Sequence, residues 1–246
     1  MSRSVSWGLT LFLIAGCSAG STPTSPTPTT SVRVLMLTAT AGFRHDSITA
    51  ARQVMSTLGI GNSFTVTATE DVSSITASSL ASHQVLMFAL TSGELPFSAA
   101  QKTAILSFVE GGGGFIGVHS ATDTLYEWPD YGRLIGAYFL EHPWTQPGTV
   151  IVESQAHPAT AGLGDRFAIR EEFYTFRENP RPRVQVLLRL DAASVAAAGD
   201  YPLAWAHAFG RGRVYYNALG HFDETWRDPR FQRQLAGAIR WASGTP

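Results

Sequence analysis

The first half of the domain alternates between apolar, β-branched segments and segments with helical periodicity. The segments VRVLMLTA (Val32 to Ala39), HQVLMFAL and GFIGV are apolar almost throughout, and SFTVTATED alternates between apolar and polar residues. Uninterrupted apolar runs are typical of strands that are buried on both faces. One helix is predicted from Asp46 or Ser47 to about Leu58, and another over SAAQKTAILSFVEGG. This alternation predicts a single α/β domain with a doubly wound, mainly parallel sheet of the flavodoxin-like kind.

The second half of the domain is less regular. It contains a short helix over YGRLIGAYF, strands over GTVIVE and VQVLLRL, and a hairpin over PLAWAHAFGRGRVYYNAL that turns at Gly210-Arg211-Gly212. An amphipathic helix over DPRFQRQLAGAIRWAS closes the chain, with Asp228 as its N-cap and Pro229 in its first turn. The elements together suffice for one domain with a substantial core.

The N-terminal segment has the pattern of an export signal. Arg3 precedes an apolar run, Leu9 to Ala15, and small residues precede Cys17 as in a bacterial lipobox. We therefore expect a lipoprotein signal peptide at residues 1–16, a Ser/Thr/Pro-rich tether at residues 17–31 and the folded domain at residues 32–246. Lipidation of Cys17 would anchor the exported protein in the bacterial cell envelope. The alternative is an ordinary secretory signal in which Cys17 has no function.

Composition excludes several classes of function. The net charge is -1 without a basic stripe, so no nucleic-acid partner is expected. Cys17 is the only cysteine of the chain. The domain therefore has no disulfide, no cysteine nucleophile and no thiolate metal site.

Three histidines follow predicted strands. His45 lies in the loop after the first strand, His119 ends the fourth, and His221 follows VYYNALG. The carboxyl ends of parallel strands meet at one edge of the sheet, where ligands of such folds bind. Imidazole is both an acid/base near neutral pH and a common metal ligand, so these three residues are predicted to be catalytic.

Four of the histidines are also candidate ligands of a metal ion. His142 opens an HP turn after the short helix, whereas His83 and His207 are expected to be structural. There is no HxH or HxxxH spacing, so a metal site would be assembled from distant loops, and the cofactor is left open. The candidate ligands of a divalent ion such as zinc are His45, His119, His142 and His221.

Carboxylates and aromatic residues occur close to these histidines in the sequence. Asp123 follows His119, and Glu171-Glu172 precede two aromatic residues. A strand directs only one of two adjacent side chains inward, so the choice between the two glutamates stays open, as does a solvated position for both. Glu172 and Asp123 are taken as further catalytic candidates. Aromatic rings stack on sugar faces, but they equally cover a core. The candidate substrate-binding residues are Arg44, Trp128, His142, Tyr174 and Trp226.

Several long motifs, in order from about Arg33 to Gly244, resemble the ThuA-like, or trehalose-utilisation, family. They are RVLMLTATAGFRHDSI, GGGFIGVHSATDTLYEWPDYGRLIGAYFLEHP, HPAT, EEFYTFRENPR, VLLRLD, PLAWAHAFGRGRVYYNALGH and GAIRWASG. The resemblance implies a class I glutamine amidotransferase-like fold. In such relatives the turn after the strand carries a catalytic cysteine. Here that turn is Val118-His119-Ser120, which excludes thiol-based glutamine hydrolysis, and Ser120 lacks the G-x-S-x-G context of an elbow nucleophile.

The resemblance also places candidate residues in family motifs, namely His45, His119, His142, His221 and Glu172. Two motifs depart from the family pattern, at Asp200-Tyr201-Pro202 and Trp205-Ala206-His207. The family is associated with sugar catabolism. The expectation is therefore a hydrolase, lyase or isomerase of a glycoside or keto-sugar, with a small carbohydrate as its ligand. A non-catalytic sugar-binding lipoprotein and an envelope scaffold remain as alternatives.

Overall fold

The computed structural model describes residues 1–5, 8 and 31–244. Cys17 and almost all of the predicted signal peptide and tether lie outside these residues. Within the described part of the chain, no helix combines the length and the apolar character needed to span a membrane.

The domain is built on one nine-stranded sheet in the order β2-β1-β3-β4-β9-β8-β7-β5-β6. Its strands are β1 Val32–Leu37, β2 Phe64–Thr69, β3 Val85–Ala89, β4 Gly114–Val118, β5 Phe139–Val152, β6 Arg166–Phe176, β7 Gln185–Leu190, β8 Tyr201–Phe209 and β9 Gly212–Asn217. Its α-helices are α1 Ile48–Gly61, α2 Ala77–Ala81, α3 Ala99–Glu110, α4 Pro129–Ile135, α5 Asp223–Arg227 and α6 Pro229–Ala242.

The sheet has a parallel half and an antiparallel half. Strands β2, β1, β3, β4 and β9 pair in parallel, as expected where helical connections return the chain to the same edge. Strands β9, β8, β7, β5 and β6 pair antiparallel. The carboxyl ends of β1, β3, β4 and β9 therefore lie at one edge, and the antiparallel half extends the sheet to the side of it.

Helices cover both faces of the parallel half. Gly114 of β4 abuts Ala242 of α6 so closely that a Cβ atom at Gly114 would lie 2.7 Å from the Ala242 carbonyl oxygen. The next residue, Phe115, packs against Tyr131 of α4 at a ring-centroid distance of 6.1 Å. Successive strand residues point to opposite faces, so α6 and α4 lie on opposite sides of the sheet. The predicted single-domain, doubly wound α/β fold is thus confirmed.

The antiparallel half differs from the sequence-based prediction in two places, because β6 was not among the predicted strands and β5 begins earlier than expected. His142 was expected in a turn, but it lies inside β5, which begins at Phe139 rather than near Gly148. The register of β5 against β6 shifts between Glu141 and Trp144, so the His-Pro dipeptide occupies an irregularity of the strand. Proline is tolerated at such a position because no ladder hydrogen bond from its nitrogen is required.

His157 is a buried histidine remote from the carboxyl edge. Its Nδ1 accepts a hydrogen bond from the Ala159 N–H at 3.1 Å, and its ring lies 4.7 Å from that of Trp241. No described residue is a partner for its Nε2. Burial lowers the pKa of His157 to about 4.

We expect His157→Asn to reduce the acid sensitivity of folding, because asparagine keeps an acceptor for Ala159 but does not titrate. The unfolded chain protonates His157 below pH 6.5, whereas the folded protein resists protonation until about pH 4. Stability is therefore full above pH 6.5 and falls toward pH 4, with a loss of roughly 2–3 kcal/mol from this residue at pH 4.5. Urea unfolding at pH 7 and pH 4.5 measures the loss in each protein. An identical loss in the variant contradicts this role of His157.

Candidate functional site

Strand β4 delivers His119 to the carboxyl edge in an unusual backbone conformation. The φ angle of His119 is +53°, in the left-handed region that non-glycine residues seldom occupy. Its carbonyl oxygen accepts a hydrogen bond from the Tyr216 hydroxyl at 2.8 Å. Its Nδ1 lies 2.8 Å from the Ala218 carbonyl oxygen. A carbonyl only accepts, so Nδ1 carries a proton, and Nε2 is the ring nitrogen that faces the neighbouring side chains.

His45 meets His119 from the loop after β1. The two Nε2 atoms are 3.1 Å apart, and the rings are nearly perpendicular. The other ring nitrogen of His45 lies 3.5 Å from Ser120 Oγ. Burial, followed by the charges of His119 and His221, lowers the pKa of His45 to about 3. His45 is therefore neutral at physiological pH.

Glu172 reaches the same point from β6. Its Oε2 lies 3.5 Å from His119 Nε2 and 3.1 Å from His221 Nδ1. Burial acts to raise the pKa of this carboxyl, but hydrogen bonds and charge from His119 and His221 outweigh it and lower the pKa. Burial also acts to lower the pKa of His221. The hydrogen bond and the charge of Glu172 outweigh burial, so the pKa of His221 is raised. Glu172 is thus the anion of the site.

Tyr174 stands two residues from Glu172 and shares its face of β6. Its hydroxyl lies 3.0 Å from His119 Nε2, and its side chain is almost completely buried. Tyr174 was predicted to hold a sugar with its ring. The structure instead places its hydroxyl against the imidazole of His119, while the ring packs on Phe139.

Glu171 points to the other face of β6 and holds the loop that carries His221. Its carboxylate accepts hydrogen bonds from the backbone N–H groups of Gly220 at 2.9 Å and His221 at 3.0 Å, and from the Thr225 hydroxyl at 2.7 Å. The side chain is fully buried. The sequence left open which of the two glutamates points toward the histidines. In the structure Glu172 faces the histidines, and Glu171 orients one of them.

Four residues form a compact group that we call the His/Glu cluster: His45, His119, Glu172 and His221. One potential ligand atom from each lies within 4.8 Å of those of all the others. The expected meeting of the three histidines at one sheet edge is therefore what the structure shows. His142 adjoins the cluster without joining it, because its Nδ1 lies 3.3 Å from the other Glu172 oxygen and half of its side chain is exposed.

A cavity of about 270 Å³ borders the cluster at His45 and His221. Two phenylalanines stand in its wall, Phe43 with 65% of its surface exposed and Phe222 beneath the Arg170 guanidinium. Its remaining lining residues are acidic or small: Asp46, Ser47, Asp223 and Glu224. A larger cavity of about 560 Å³ lies along α4 and β8 and contains none of the four cluster residues.

Comparison with known proteins identifies the family. The sequence matches ThuA, described as trehalose utilisation, over residues 33–242. The chain belongs to the ThuA family. No functionally curated protein matches it.

Solved structures agree with this assignment. A ThuA-like protein from Bacteroides uniformis is 26% identical, with a TM-score of 0.75 over 90% of this chain and 95% of that one. Another from Parabacteroides merdae is 17% identical, with a TM-score of 0.71 over 87% and 91% of the two chains. A β-galactosidase from Bacillus circulans is 12% identical and shares only the fold, with a TM-score of 0.58 over 88% of this chain and 32% of that one. The ThuA assignment points to a role in carbohydrate metabolism.

Three predicted substrate-binding residues of this ThuA-family chain lie elsewhere. Trp226 is fully buried, and its indole N–H donates to the Gly220 carbonyl at 2.8 Å, so it has no surface for a ligand. Trp128 packs on Tyr131 and is almost completely buried. The Arg44 guanidinium turns away to form a bidentate pair with Glu70. Composition could not reveal these partners, because aromatic and charged residues serve packing and binding alike.

Asp123 lies beside the cluster rather than in it. Its carboxylate accepts a hydrogen bond from the Tyr126 hydroxyl at 2.7 Å. Burial raises its pKa, opposed by that hydrogen bond and by the charges of His119 and His142, which are therefore near enough to act on it. Phe43, Phe222 and Glu171 were not among the predicted site residues. A signal for Glu171 existed only in its adjacency to Glu172.

We expect Glu171→Gln to destabilise the domain by roughly 2–4 kcal/mol, because an amide offers one acceptor oxygen where four donors converge, the Glu172 N–H at 3.1 Å being the fourth. Glu178→Gln is the matched control, since the Glu178 side chain is 73% exposed and only pairs with Arg183. That control changes the free energy of unfolding by no more than about 0.5 kcal/mol. Urea unfolding measures both variants. Equal effects of the two substitutions would show that Glu171 does not hold the His221 loop.

Proposed function

We propose that this chain is an enzyme that modifies a carbohydrate, a hydrolase, lyase or isomerase of a glycoside or keto-sugar, and that the His/Glu cluster is its reacting centre. The observation that carries the proposal is the convergence of three imidazoles and one carboxylate at a single point of the carboxyl edge. Family membership supports a carbohydrate as the substrate. Convergence of titratable groups beside a cavity is typical of catalytic sites.

The cluster offers the groups that sugar chemistry requires. His119 directs Nε2 at the cluster, Glu172 is an anion, and the Tyr174 hydroxyl lies 3.0 Å from His119 Nε2. Reactions of keto-sugars need a base for the acidified C–H bond and a group that stabilises the resulting oxyanion. A sugar in the adjoining cavity would reach the cluster past Phe43 and Phe222, whose rings are suited to stack on its faces.

The number of carboxylates favours this chemistry over a two-carboxylate glycosidase mechanism. That mechanism needs two carboxyl groups about 5–10 Å apart on either side of the scissile bond. The cluster contains one, Glu172, since Glu171 faces away and is occupied by the Gly220–His221 loop. Glutamine hydrolysis by a thiol is not part of the proposal, because His119 stands at the elbow and Cys17 is the only cysteine.

Replacing His119 by alanine is expected to abolish turnover while sugar binding persists. We expect a loss of about 10²–10⁴-fold in kcat, the usual contribution of a group that moves a proton. The assay uses a panel of glycosides and 3-keto-glycosides, with binding followed by calorimetry. His83→Ala is the matched control, since the His83 ring hydrogen-bonds Ser79 and Ser82 and lies outside the cluster. Thermal unfolding verifies that both variants are folded.

The outcomes separate the proposed enzyme from its alternatives. Sugar binding by the wild type without turnover of any panel member would support a non-catalytic sugar-binding lipoprotein. Absence of both binding and turnover would leave an envelope scaffold. Turnover that survives in His119→Ala would contradict the assignment of the cluster as the reacting centre.

We further propose that the protein works in the bacterial cell envelope, anchored through a lipid on Cys17. The support is the lipobox-like sequence and the Ser/Thr/Pro-rich segment that follows it. Cys17→Ser is expected to remove the protein from the membrane fraction after cell lysis, and to abolish incorporation of labelled palmitate. Retention of the label in the variant would refute lipidation at this residue.

A further inference from the structure

We propose that His45, His119, His221 and Glu172 hold one divalent transition-metal ion. This inference goes beyond the proposed function, which requires only that the cluster reacts with a sugar. It also changes the ligand set suggested by the sequence, since Glu172 replaces His142.

The spacing of the ligand atoms fits a single ion. Nitrogen and oxygen ligands lie about 2.0–2.2 Å from zinc, so neighbouring ligands of a tetrahedral site are roughly 3.3–3.6 Å apart. The contacts observed are 3.1 Å between His45 Nε2 and His119 Nε2, 3.5 Å between His119 Nε2 and Glu172, and 3.1 Å between Glu172 and His221. All four atoms fall within 4.8 Å of one another. The three close contacts need shifts of only a few tenths of an ångström to reach this spacing, and atoms as far apart as 4.8 Å need about 1 Å.

The hydrogen bonds on the outer side of the rings are those of metal-binding imidazoles. The Ala218 carbonyl accepts a hydrogen bond from His119 Nδ1 at 2.8 Å and leaves Nε2 directed at the cluster. Ser120 Oγ stands 3.5 Å from His45 Nδ1, in position to do the same for His45. Ligating histidines almost always donate their second N–H to such a partner, which fixes the tautomer and the ring orientation.

The ligand atoms crowd one another at the centre of the cluster. His45 Nε2 faces His119 Nε2 at 3.1 Å, and Glu172 Oε2 lies 3.5 Å from His119 Nε2 and 3.1 Å from His221 Nδ1. His45, His119 and Glu172 are buried, so water cannot readily serve these atoms. Buried polar groups need a partner, and a cation bound between them would be a common partner for all four side chains.

The donor types indicate the class of ion. Three imidazole nitrogens and one carboxylate suit Zn²⁺, Mn²⁺, Fe²⁺ or Co²⁺, whereas Ca²⁺ and Mg²⁺ prefer oxygen ligands throughout. When bound, such an ion polarises a carbonyl or hydroxyl oxygen of a ligand that approaches from the cavity at His45 and His221.

The test is metal binding, measured without reference to turnover. The full chain carrying Cys17→Ser, so that its only thiol cannot bind metal, is stripped with a chelator. It is then titrated with Zn²⁺, Mn²⁺, Fe²⁺ and Co²⁺ against a chromophoric competitor, and elemental analysis counts the bound ion. We expect one equivalent of at least one of these ions. The visible spectrum of the Co²⁺ form should show four or five ligands.

The variants locate the ion. His119→Ala, His45→Gln and Glu172→Gln should each weaken binding by more than the roughly 10–100-fold that loss of an outer partner causes. His83→Ala should leave the affinity unchanged. Thermal unfolding in the absence of metal identifies any variant that fails to fold. The metal affinities of the remaining variants are then compared with that of the wild type.

Either of two results overturns the proposal: no stoichiometric binding by the wild type, or unchanged affinity in all folded cluster variants. Stoichiometric binding that the variants lose, in a protein that turns over no sugar, supports the metal site and contradicts the proposed function. The two proposals therefore fail in different experiments.

Discussion

The site depends on the backbone of His119 at the end of β4. A residue with a side chain seldom adopts a left-handed conformation, and here two hydrogen bonds maintain it, from the Tyr216 hydroxyl to the His119 carbonyl and from the His119 ring to the Ala218 carbonyl. Both partners belong to β9 or follow it, and β9 pairs in parallel with β4. The register that places Val118 opposite Asn217 therefore brings the next residue of each strand together. One strand pairing both builds the sheet and orients the imidazole.

The antiparallel half of the sheet completes the site. Strand β6 lies at the far edge, five positions from β4 in the strand order, and yet its residues reach His119 and the loop after β9. The adjacent residues Glu171 and Glu172 on this strand point to opposite faces and have different roles. Glu171 binds backbone N–H groups and so positions His221, whereas Glu172 meets the ring of His221 directly. Loss of either glutamate would disturb the same histidine through different contacts.

Much of the fold was accessible from the sequence, since buried parallel strands are uniformly apolar and GFIGV coincides with β4. The closing helix was also predicted correctly, as Asp228 accepts a hydrogen bond from the Arg230 N–H and Pro229 occupies the first turn. Irregular strands were harder. The start of β5 carries polar residues, a proline and register shifts, so it lacks the period of two on which strand prediction relies. His142 was consequently assigned to a turn.

The sequence alone determined the order of most strands and helices though not of β6, the absence of cysteine from the domain and the position of His45, His119 and His221 after strands. These properties follow from local composition and from the rule that parallel strands end at a common edge. Only the tertiary structure decided which carboxylate joins them and which aromatic residues are merely packed. Those questions depend on contacts between residues far apart in the chain, such as Glu172 with His119 or Trp226 with Gly220. An imidazole becomes a site when other strands bring partners to within hydrogen-bonding distance, and the sequence around His119 does not specify those partners.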